Sequence, residues 1–359
     1  MKIVTIIGAR PQFIKAAVVS RALQKKQAIE EVIIHTGQHF DKNMSEVFFE
    51  EMDIPKPKYN LNINRVSHGA MTGRMLESIE GILLEEKPDY VLVYGDTNST
   101  LAGAIAASKL HIPIAHVEAG LRSFNMMMPE EINRILTDRV STVLFCPTIN
   151  AVKNLEDEGY SNFGTKIINS GDVMYDAALY YSAKISEPPQ NSNEYPEKFV
   201  LATIHREENL ADKQSLLSII NAINDIHNNH IPVIFPIHPG TAKIIKEAGI
   251  VTDFKTINPV SYLEMIDLIK ASELVITDSG GLQKEAFFFG KFCLTIREQT
   301  EWVELVEHNV NFLVGADSKK ILDAFNGVIK TKFPDQLNLY GTGNASDIIA
   351  EELSKVCSI

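Results

Sequence analysis

The sequence predicts an α/β protein built on parallel, doubly wound sheets, and three observations indicate this class. Short apolar runs recur along the chain, they are continuous and rich in β-branched residues, and stretches with helical periodicity separate them. Continuous apolar runs are typical of strands buried on both faces, and strands that alternate with helices form parallel sheets. The second half of the chain repeats the scheme, so we expect two such domains.

The predicted strands form two series. In the first half they span 2–7, 32–35, 90–94, 114–117 and 143–146, with 166–169 as a weaker candidate. In the second half they span 199–204, 233–236, 274–277, 293–296 and 311–314. The clearest predicted helix, 98–110, is rich in alanine and capped by Thr97 or Asn98. An exposed loop is predicted at 187–197, and Gly341-Thr342-Gly343 is expected to begin the last helix.

Composition narrows the class of protein. The 359 residues carry a net charge of −12, which disfavours general binding of nucleic acid or of anionic membranes. The three cysteines, Cys146, Cys293 and Cys357, are too few and too widely spaced for a disulfide framework, so we expect reduced, buried thiols. The sequence shows neither a signal-peptide pattern nor an apolar run of the ~20 residues that span a bilayer. We therefore expect a cytoplasmic protein.

Ligands of open α/β sheets bind beyond the carboxyl ends of the strands, so two such halves predict a cleft between them. After the first strand, Gly8 permits a tight turn, and Arg10 and Lys15 bring positive charge to a helix N-terminus, which favours anions. The alternative is a structural turn with two solvated cations.

Three strand ends in the first half carry carboxylates. Asp96 could cap a helix or lie on the cleft floor, and Glu118 ends a buried strand, where folding does not require it. Glu130 and Glu131 begin a helix, where one of them could serve only the helix dipole. Carboxylates at three strand ends suggest general acid–base chemistry.

The second half carries His205 and His238 after strands, and a Ser279-Gly280-Gly281 turn between a strand and a helix. Backbone amides of that turn could bind a phosphate, and Glu285, about one helical turn later, could bind ribose hydroxyls. Together with Arg10 these residues predict a site for a nucleoside diphosphate.

Two further segments complete the predicted site. Arg297 and Glu301 follow the next strand and could close over a sugar. His35 and His39 are better interpreted as polar loop residues than as metal ligands, because Gly37 between them disfavours a helix. We expect neither a metal nor a cofactor.

These motifs as a set resemble those of the non-hydrolysing UDP-N-acetylglucosamine 2-epimerase family along essentially the whole chain. The segments that carry the resemblance are Gly8-Ala9-Arg10-Pro11, His35-Thr36-Gly37-Gln38-His39, Gly95-Asp96-Thr97, the run from His116 to Ser123, the run from Pro129 to Arg134, the run from Thr277 to Gly281, and Thr300-Glu301-Trp302.

The resemblance implies a GT-B architecture, in which two Rossmann-like, doubly wound parallel-sheet domains face a cleft that holds UDP. The implied domains span 1–170 and 171–340, with a hinge near Gly171, and a terminal helix in 341–359 packs back on the first domain. It also implies a metal-free homodimer that acts on a UDP-sugar.

Roles carried over from the family fall into three groups. The acid–base positions are Asp96, Glu118, Glu130 and His205. The nucleotide-contacting positions are Arg10, Lys15, His238, Ser279, Gly280, Gly281 and Glu285. A family site for allosteric activation by UDP-GlcNAc lies near Gln38, His39 and Arg206, where altered neighbouring residues put such activation in question.

Three departures from the family pattern indicate one branch. Gln12 replaces the usual glutamate, the stretch before Pro129 is short, and Trp302 stands where many relatives have arginine. These features resemble the branch that converts UDP-2,3-diacetamido-2,3-dideoxy-D-glucuronate to its manno epimer for surface polysaccharides. A cationic or polar partner should bind the C6 carboxylate of this substrate, and Lys284 is better interpreted as a helix-surface lysine than as that partner. Plain UDP-GlcNAc is the second candidate, ahead of a hydrolysing epimerase, a GT-B glycosyltransferase and a UDP-sugar sensor.

Overall fold

The computed structural model describes residues 1–38, 54–184, 195–334 and 337–355. The chain divides into two units, of which the first comprises Met1–Ala177 with Asn338–Ile359 and the second Ala178–Leu337.

The first unit contains a seven-stranded sheet in which every strand pairing is parallel. Its strands in chain order are β1 (Lys2–Ile7), β2 (Glu30–His35), β3 (Tyr59–Asn60), β4 (Tyr90–Tyr94), β5 (Ile114–Val117), β6 (Val143–Cys146) and β7 (Lys166–Asn169). Their order across the sheet is β3-β2-β1-β4-β5-β6-β7. The order reverses between β1 and β4, so the loops after these two strands lie at a topological switch point.

Helices connect these strands, and the C-terminal segment adds one more. In chain order they are α1 (Arg10–Gln24), α2 (His68–Glu86), α3 (Asn98–Lys109), α4 (Pro129–Val140), α5 (Ile149–Asp157), α6 (Val173–Lys184), which contains the boundary between the units, and the C-terminal helix (Ala345–Lys355). One core cluster joins Met75, Ile79 and Leu83 of α2 to Val91 and Val93 of β4. Consecutive residues of β1, such as Ile3 and Val4 or Ile6 and Ile7, have no exposed surface, so both faces of the sheet are covered there, as the continuous apolar strands require.

The second unit repeats the plan with a six-stranded, all-parallel sheet of order β10-β9-β8-β11-β12-β13. These strands are β8 (Val200–Thr203), β9 (Val233–Pro236), β10 (Lys255–Ile257), β11 (Leu274–Thr277), β12 (Cys293–Thr295) and β13 (Asn311–Leu313). Its helices are α7 (Glu207–Ala211), α8 (Lys213–Asn229), α9 (Pro239–Glu247), α10 (Tyr262–Ala271), α11 (Gly280–Phe288), α12 (Val303–Glu307) and α13 (Ser318–Val328). Here the switch point lies between β8 and β11.

The predicted α/β class and all eleven predicted strands are confirmed, with shifts of one or two residues at some strand ends. The sequence did not predict β3 and β10, which are the edge strands of the two sheets. Both are short and partly exposed, so they lack the continuous apolar run that marks a strand buried on both faces.

The structure settles one helix cap and corrects the start of the last helix. Thr97, not Asn98, caps α3, since its side chain accepts from the amide of Thr100. The expectation that Gly341 begins the last helix is wrong, because that helix starts at Ala345. Gly341 lies instead in a loop against Gly171, where an added Cβ on Gly171 would meet the Tyr340 carbonyl oxygen at 2.9 Å. Residues 187–194 of the predicted loop lie outside the described residues.

The predicted buried thiols are present at Cys146 and Cys293, both of which are free, while Cys357 lies outside the described ranges. Within those ranges, every helix is too short or too polar to cross a membrane.

Candidate active site

The ends of β1 and β5 bring a lysine and a glutamate together. Lys15 on α1 and Glu118, directly after β5, form an ion pair with 2.5 Å between Nζ and Oε1, and both side chains are at most 9% exposed. The alternative of a solvated cation at Lys15 is therefore wrong. A neighbouring ammonium favours the ionised form of a carboxylate, so this arrangement supports a proton-accepting Glu118.

The backbone at Glu118 is held in an unusual conformation. Its φ angle is +72°, in the left-handed region that residues other than glycine rarely adopt. The amides of Glu118 and Ala119 both donate to the carbonyl oxygen of Phe145, at 3.1 and 3.0 Å, which holds the turn in place. Strain of this kind, on the order of 1–3 kcal/mol, is concentrated at functional sites.

Gly95, after β4, closes over this ion pair. An added Cβ would lie 3.3 Å from both Glu118 Oε1 and Lys15 Nζ, and the φ angle of Gly95 is +62°. A side chain here would displace the pair, so the pair requires glycine at this position.

The loop after β1 is organised by Gln12 rather than by a ligand. The side-chain oxygen of this fully buried residue accepts from the amides of Gly8 and Ala9, at 2.8 and 3.0 Å. Its amide group donates to the Tyr94 carbonyl and the Thr100 hydroxyl. These two backbone amides are thus already occupied, and any anion contact here depends on side chains such as the half-buried Arg10.

Asp96 does not cap a helix. Its Oδ2 accepts from Arg134 Nη2 at 2.6 Å, and its side chain is 26% exposed. Arg134 also reaches Glu131, whose carboxylate accepts from Ser123 and from the amide of Phe124.

Of the two glutamates that begin α4, the structure assigns the structural role to Glu131, which is 1% exposed. Burial alone would raise the pKa of Glu131. Hydrogen bonds from Ser123, Phe124 and Arg134 outweigh this effect and hold the pKa below its ordinary value. Glu130 is exposed and thus accessible to a substrate.

In the second unit, β8 and β11 end at a histidine–aspartate pair. His205 Nδ1 lies 2.8 Å from Asp278 Oδ1, and Asp278 is fully buried while the His205 side chain is 53% exposed. Asp278 also accepts from the amides of His205 and Arg206 and from the Asn209 side chain. Burial alone would raise the pKa of Asp278. The His205 ring and the other donors outweigh this effect and hold the pKa below its ordinary value. The pair fixes one ring nitrogen of His205 and leaves the exposed ring able to act on a ligand.

The predicted phosphate turn follows Asp278. Ser279 caps α11 through its hydroxyl, and Gly281 is exposed with open space around it. An added Cβ on Gly280 would lie 2.5 Å from Glu301 Oε1, so this position also requires glycine. The indole nitrogen of Trp302 donates to the Gly280 carbonyl at 2.9 Å.

Two buried cations lie near this turn. Arg297 Nη1 contacts Glu301 Oε2 at 3.1 Å, and both residues are at most 9% exposed. The interpretation of Lys284 as a surface lysine is wrong, because it is 2% exposed and its Nζ lies 3.9 Å from the centroid of the Trp302 ring. Glu285, the predicted ribose ligand, is also buried.

The remaining predicted residues have local roles. His238 is exposed and accepts from the Gly240 amide at the start of α9. The side chain of Gln38 accepts from the amide and the hydroxyl of Ser99. Arg206 is half-buried before α7, and His39 lies outside the described residues. Among the described residues, no group of three or more His, Cys, Asp or Glu side chains could hold a metal ion.

A family model described as UDP-N-acetylglucosamine 2-epimerase matches residues 21–354. The chain belongs to the UDP-N-acetylglucosamine 2-epimerase family. A Pseudomonas aeruginosa protein named UDP-2,3-diacetamido-2,3-dideoxy-D-glucuronate 2-epimerase is 57% identical over 99% of this chain and 100% of its own length. These matches confirm the family resemblance drawn from the motifs.

Two solved structures of this epimerase family agree with the fold. The crystal structure of the Methanocaldococcus jannaschii UDP-GlcNAc 2-epimerase in complex with UDP-GlcNAc and UDP has a TM-score of 0.90 at 44% identity, with 99% of this chain and 100% of that chain covered. The Neisseria meningitidis UDP-GlcNAc 2-epimerase bound to UDP-GlcNAc has a TM-score of 0.91 at 34% identity, with the same coverage.

Several residues of this epimerase-family site were not predicted from the sequence to have a role, namely Asp278, Arg134, His116 and Asp138. Most of the predicted site residues follow the ends of strands, whereas His116 lies inside β5 and Asp138 lies near the end of α4. A charged residue inside an otherwise apolar strand was the available signal for His116.

We predict that Asp278→Asn lowers the free energy of unfolding by about 1–3 kcal/mol near neutral pH, because two loop amides lose their charged acceptor. A carboxylate whose pKa is lowered by folding stabilises the protein above its unfolded pKa of about 3.9 and loses that contribution as the pH falls further. Urea unfolding at several pH values should therefore show a difference that shrinks in acid. The control is Asp225→Asn at a side chain that is 42% exposed, and a pH-independent loss would contradict the prediction.

Proposed function

We propose that this chain inverts C2 of a UDP-linked N-acetylated sugar by eliminating UDP and adding it back. The observation that carries the proposal is the buried Lys15–Glu118 pair on a strained turn, in a chain of this family. A carboxylate held in this way is ready to accept a proton, and folding alone gives no reason for it.

The chemistry requires a leaving group because the C2 proton has no adjacent carbonyl. As the C1–O bond breaks, its electron pair leaves with UDP, a base takes the C2 proton, and the C2–H electrons form the C1–C2 double bond of a 2-acetamidoglycal. Protonation of C2 from the opposite face and return of the UDP oxygen to C1 then give the epimer. Atoms and electrons balance without an oxidant or reductant.

The site residues divide these tasks. We propose that carboxylates among Asp96, Glu118 and Glu130 move the C2 proton, and two of them are held in place by a cation, Asp96 by Arg134 and Glu118 by Lys15. His205, oriented by Asp278, assists the departing diphosphate.

In this proposal the UDP part of the substrate binds to the second unit. The Ser279–Gly281 turn at the start of α11 binds the diphosphate together with His238, and Glu285 binds the ribose. A cavity of about 400 Å³ at the end of β10 is lined by Tyr195, Ile257, Asn258 and Val260. Its size and mixed lining suit a uracil base, with Asn258 available for hydrogen bonds.

We further propose UDP-2,3-diacetamido-2,3-dideoxy-D-glucuronate as the substrate, in the biosynthesis of a surface polysaccharide. The higher identity to the Pseudomonas aeruginosa protein of that name than to the UDP-GlcNAc epimerases supports this choice. The buried Lys284 ammonium beside Trp302 offers a positive charge for the C6 carboxylate, with Arg297 and Glu301 next to it.

The second copy of the proposed homodimer has a candidate surface in the first unit. Large apolar side chains are exposed on the loop before α4 and on that helix, namely Phe124 at 77%, Met126 at 59%, Met127 at 89%, Ile132 at 39% and Leu136 at 43%. Several large apolar side chains exposed on neighbouring parts of the chain are typical of a protein interaction site.

The purified protein should convert the diacetamido uronate to its manno epimer faster than it converts UDP-GlcNAc, as followed by NMR. In D2O the product should carry deuterium at C2. Free sugar would instead indicate a hydrolysing enzyme, and unchanged UDP-sugar would exclude epimerisation. Glu118→Gln should lower kcat by about 10²–10⁴-fold, whereas Glu156→Gln at an exposed position should not.

Lys284→Met tests the choice of substrate. Loss of a charge-assisted contact should lower kcat/KM for the uronate by about 10–100-fold and spare UDP-GlcNAc, which has no C6 carboxylate. The matched control is Lys291→Met, just after the same helix and half-buried. An equal loss with both substrates would assign Lys284 to structure alone.

Leu136→Glu should convert a dimer to a monomer in sedimentation velocity at micromolar concentration, because a carboxylate in an apolar interface loses its hydration. Leu217→Glu, at a similarly exposed leucine of the second unit, should leave the mass unchanged. A Leu136→Glu protein that remains dimeric would place the interface elsewhere.

A further inference from the structure

His116 lies in β5 with no exposed surface, and both of its ring nitrogens contact oxygen atoms. Nε2 lies 2.7 Å from the carbonyl oxygen of Gly95, and Nδ1 lies 2.7 Å from Oδ1 of Asp138. A carbonyl can only accept, so Nε2 must carry a hydrogen. Whether Nδ1 also carries one depends on the state of Asp138.

The surroundings of Asp138 show that it is ionised. Oδ2 accepts from Arg122 Nη1 at 2.8 Å and from the Gly120 amide at 3.1 Å. The Arg122 guanidinium is charged and buried beside Oδ2, and a cation in that position favours the ionised carboxylate. Asp138 is therefore an acceptor through both oxygens, and Nδ1 of His116 must donate. Two donating nitrogens define an imidazolium, since neutral imidazole has only one N–H.

The charge of this imidazolium is balanced inside the first unit. Arg122 continues the network to Glu158, with Nε–Oε1 and Nη2–Oε2 distances of 2.7 and 2.9 Å. Two cations and two carboxylates thus alternate, which meets the condition for charges to be buried together.

The network ends at the two loops that carry the proposed acid–base residues. On one side His116 holds the carbonyl of Gly95, the glycine that packs against the Lys15–Glu118 pair and precedes Asp96. On the other side Asp138 holds the amide of Gly120, two residues after Glu118. One buried ion pair therefore connects both loops.

We propose that His116, as an imidazolium that donates to both Gly95 and Asp138, is a positioning residue that fixes the Gly95–Asp96 peptide against Glu118. It reaches no substrate atom and acts through the Gly95 carbonyl. The proposal rests on the proposed epimerase function for its kinetic consequence, but its protonation state can be tested independently of any activity.

Two amide variants separate the contacts of His116. In His116→Gln the amide nitrogen occupies the place of Nε2 and can still donate to Gly95. In His116→Asn it occupies the place of Nδ1 and can donate only toward Asp138. Both variants carry an uncharged amide, so they form a matched pair that differs in the hydrogen bond to the Gly95 carbonyl.

We expect His116→Asn to lower kcat about 10–100-fold, as loss of a supporting hydrogen bond at a site does, with KM changed less than threefold. His116→Gln should retain several-fold more kcat than His116→Asn at a similar melting temperature. Equal kcat losses in the two variants, or losses that follow melting temperature alone, would overturn the positioning role.

The unmodified protein supplies the second measurement. Nitrogen-15 NMR of labelled histidine should show both ring nitrogens of His116 protonated at the assay pH, with the signal assigned by its disappearance in His116→Gln. A neutral tautomer would overturn the proposal even if the enzyme is active. Inactivity of the unmodified protein on every UDP-sugar, with an imidazolium present, would instead refute the proposed function.

Discussion

A carboxylate can be buried in an ionised state only when enough hydrogen-bond donors surround it, and this requirement shapes both units. In the first, Asp138 gathers donors from His116, Arg122 and the Gly120 amide. In the second, Asp278 gathers the amides of two consecutive residues and the His205 ring. Each aspartate fixes a loop at the carboxyl edge of a parallel sheet, so the geometry of the proposed site depends on burying these two charges.

The parallel strands explain why the architecture was predictable. Continuous apolar runs locate strands that are covered on both faces, and the βα alternation fixes their direction. Among the strands that the structure describes, only β3 and β10 were not predicted, because an edge strand pairs on one side and needs no such run. Glycines and polar residues immediately after the strands predict where the candidate site lies, since a parallel sheet brings these positions to one edge.

What the sequence could not give was the partner of each charged group. Glu130 and Glu131 look alike in sequence, yet one is exposed and the other accepts from Ser123, Phe124 and Arg134. Lys284 follows a helix start that suggests a solvated side chain, but it packs over Trp302. Such pairings depend on how loops and helices pack against one another, and neither local propensity nor periodicity predicts them.

The left-handed backbone of Glu118 has a consequence for how this protein can evolve. Asparagine or glycine would occupy that conformation with less strain, so under the proposed role of Glu118 selection for folding and selection for turnover act on this position in opposite directions. In a duplicated gene copy that is no longer selected for activity, we expect glycine to replace this residue, so that the fold becomes more stable as activity is lost. The residue at this position should therefore distinguish active from inactive proteins among otherwise similar sequences.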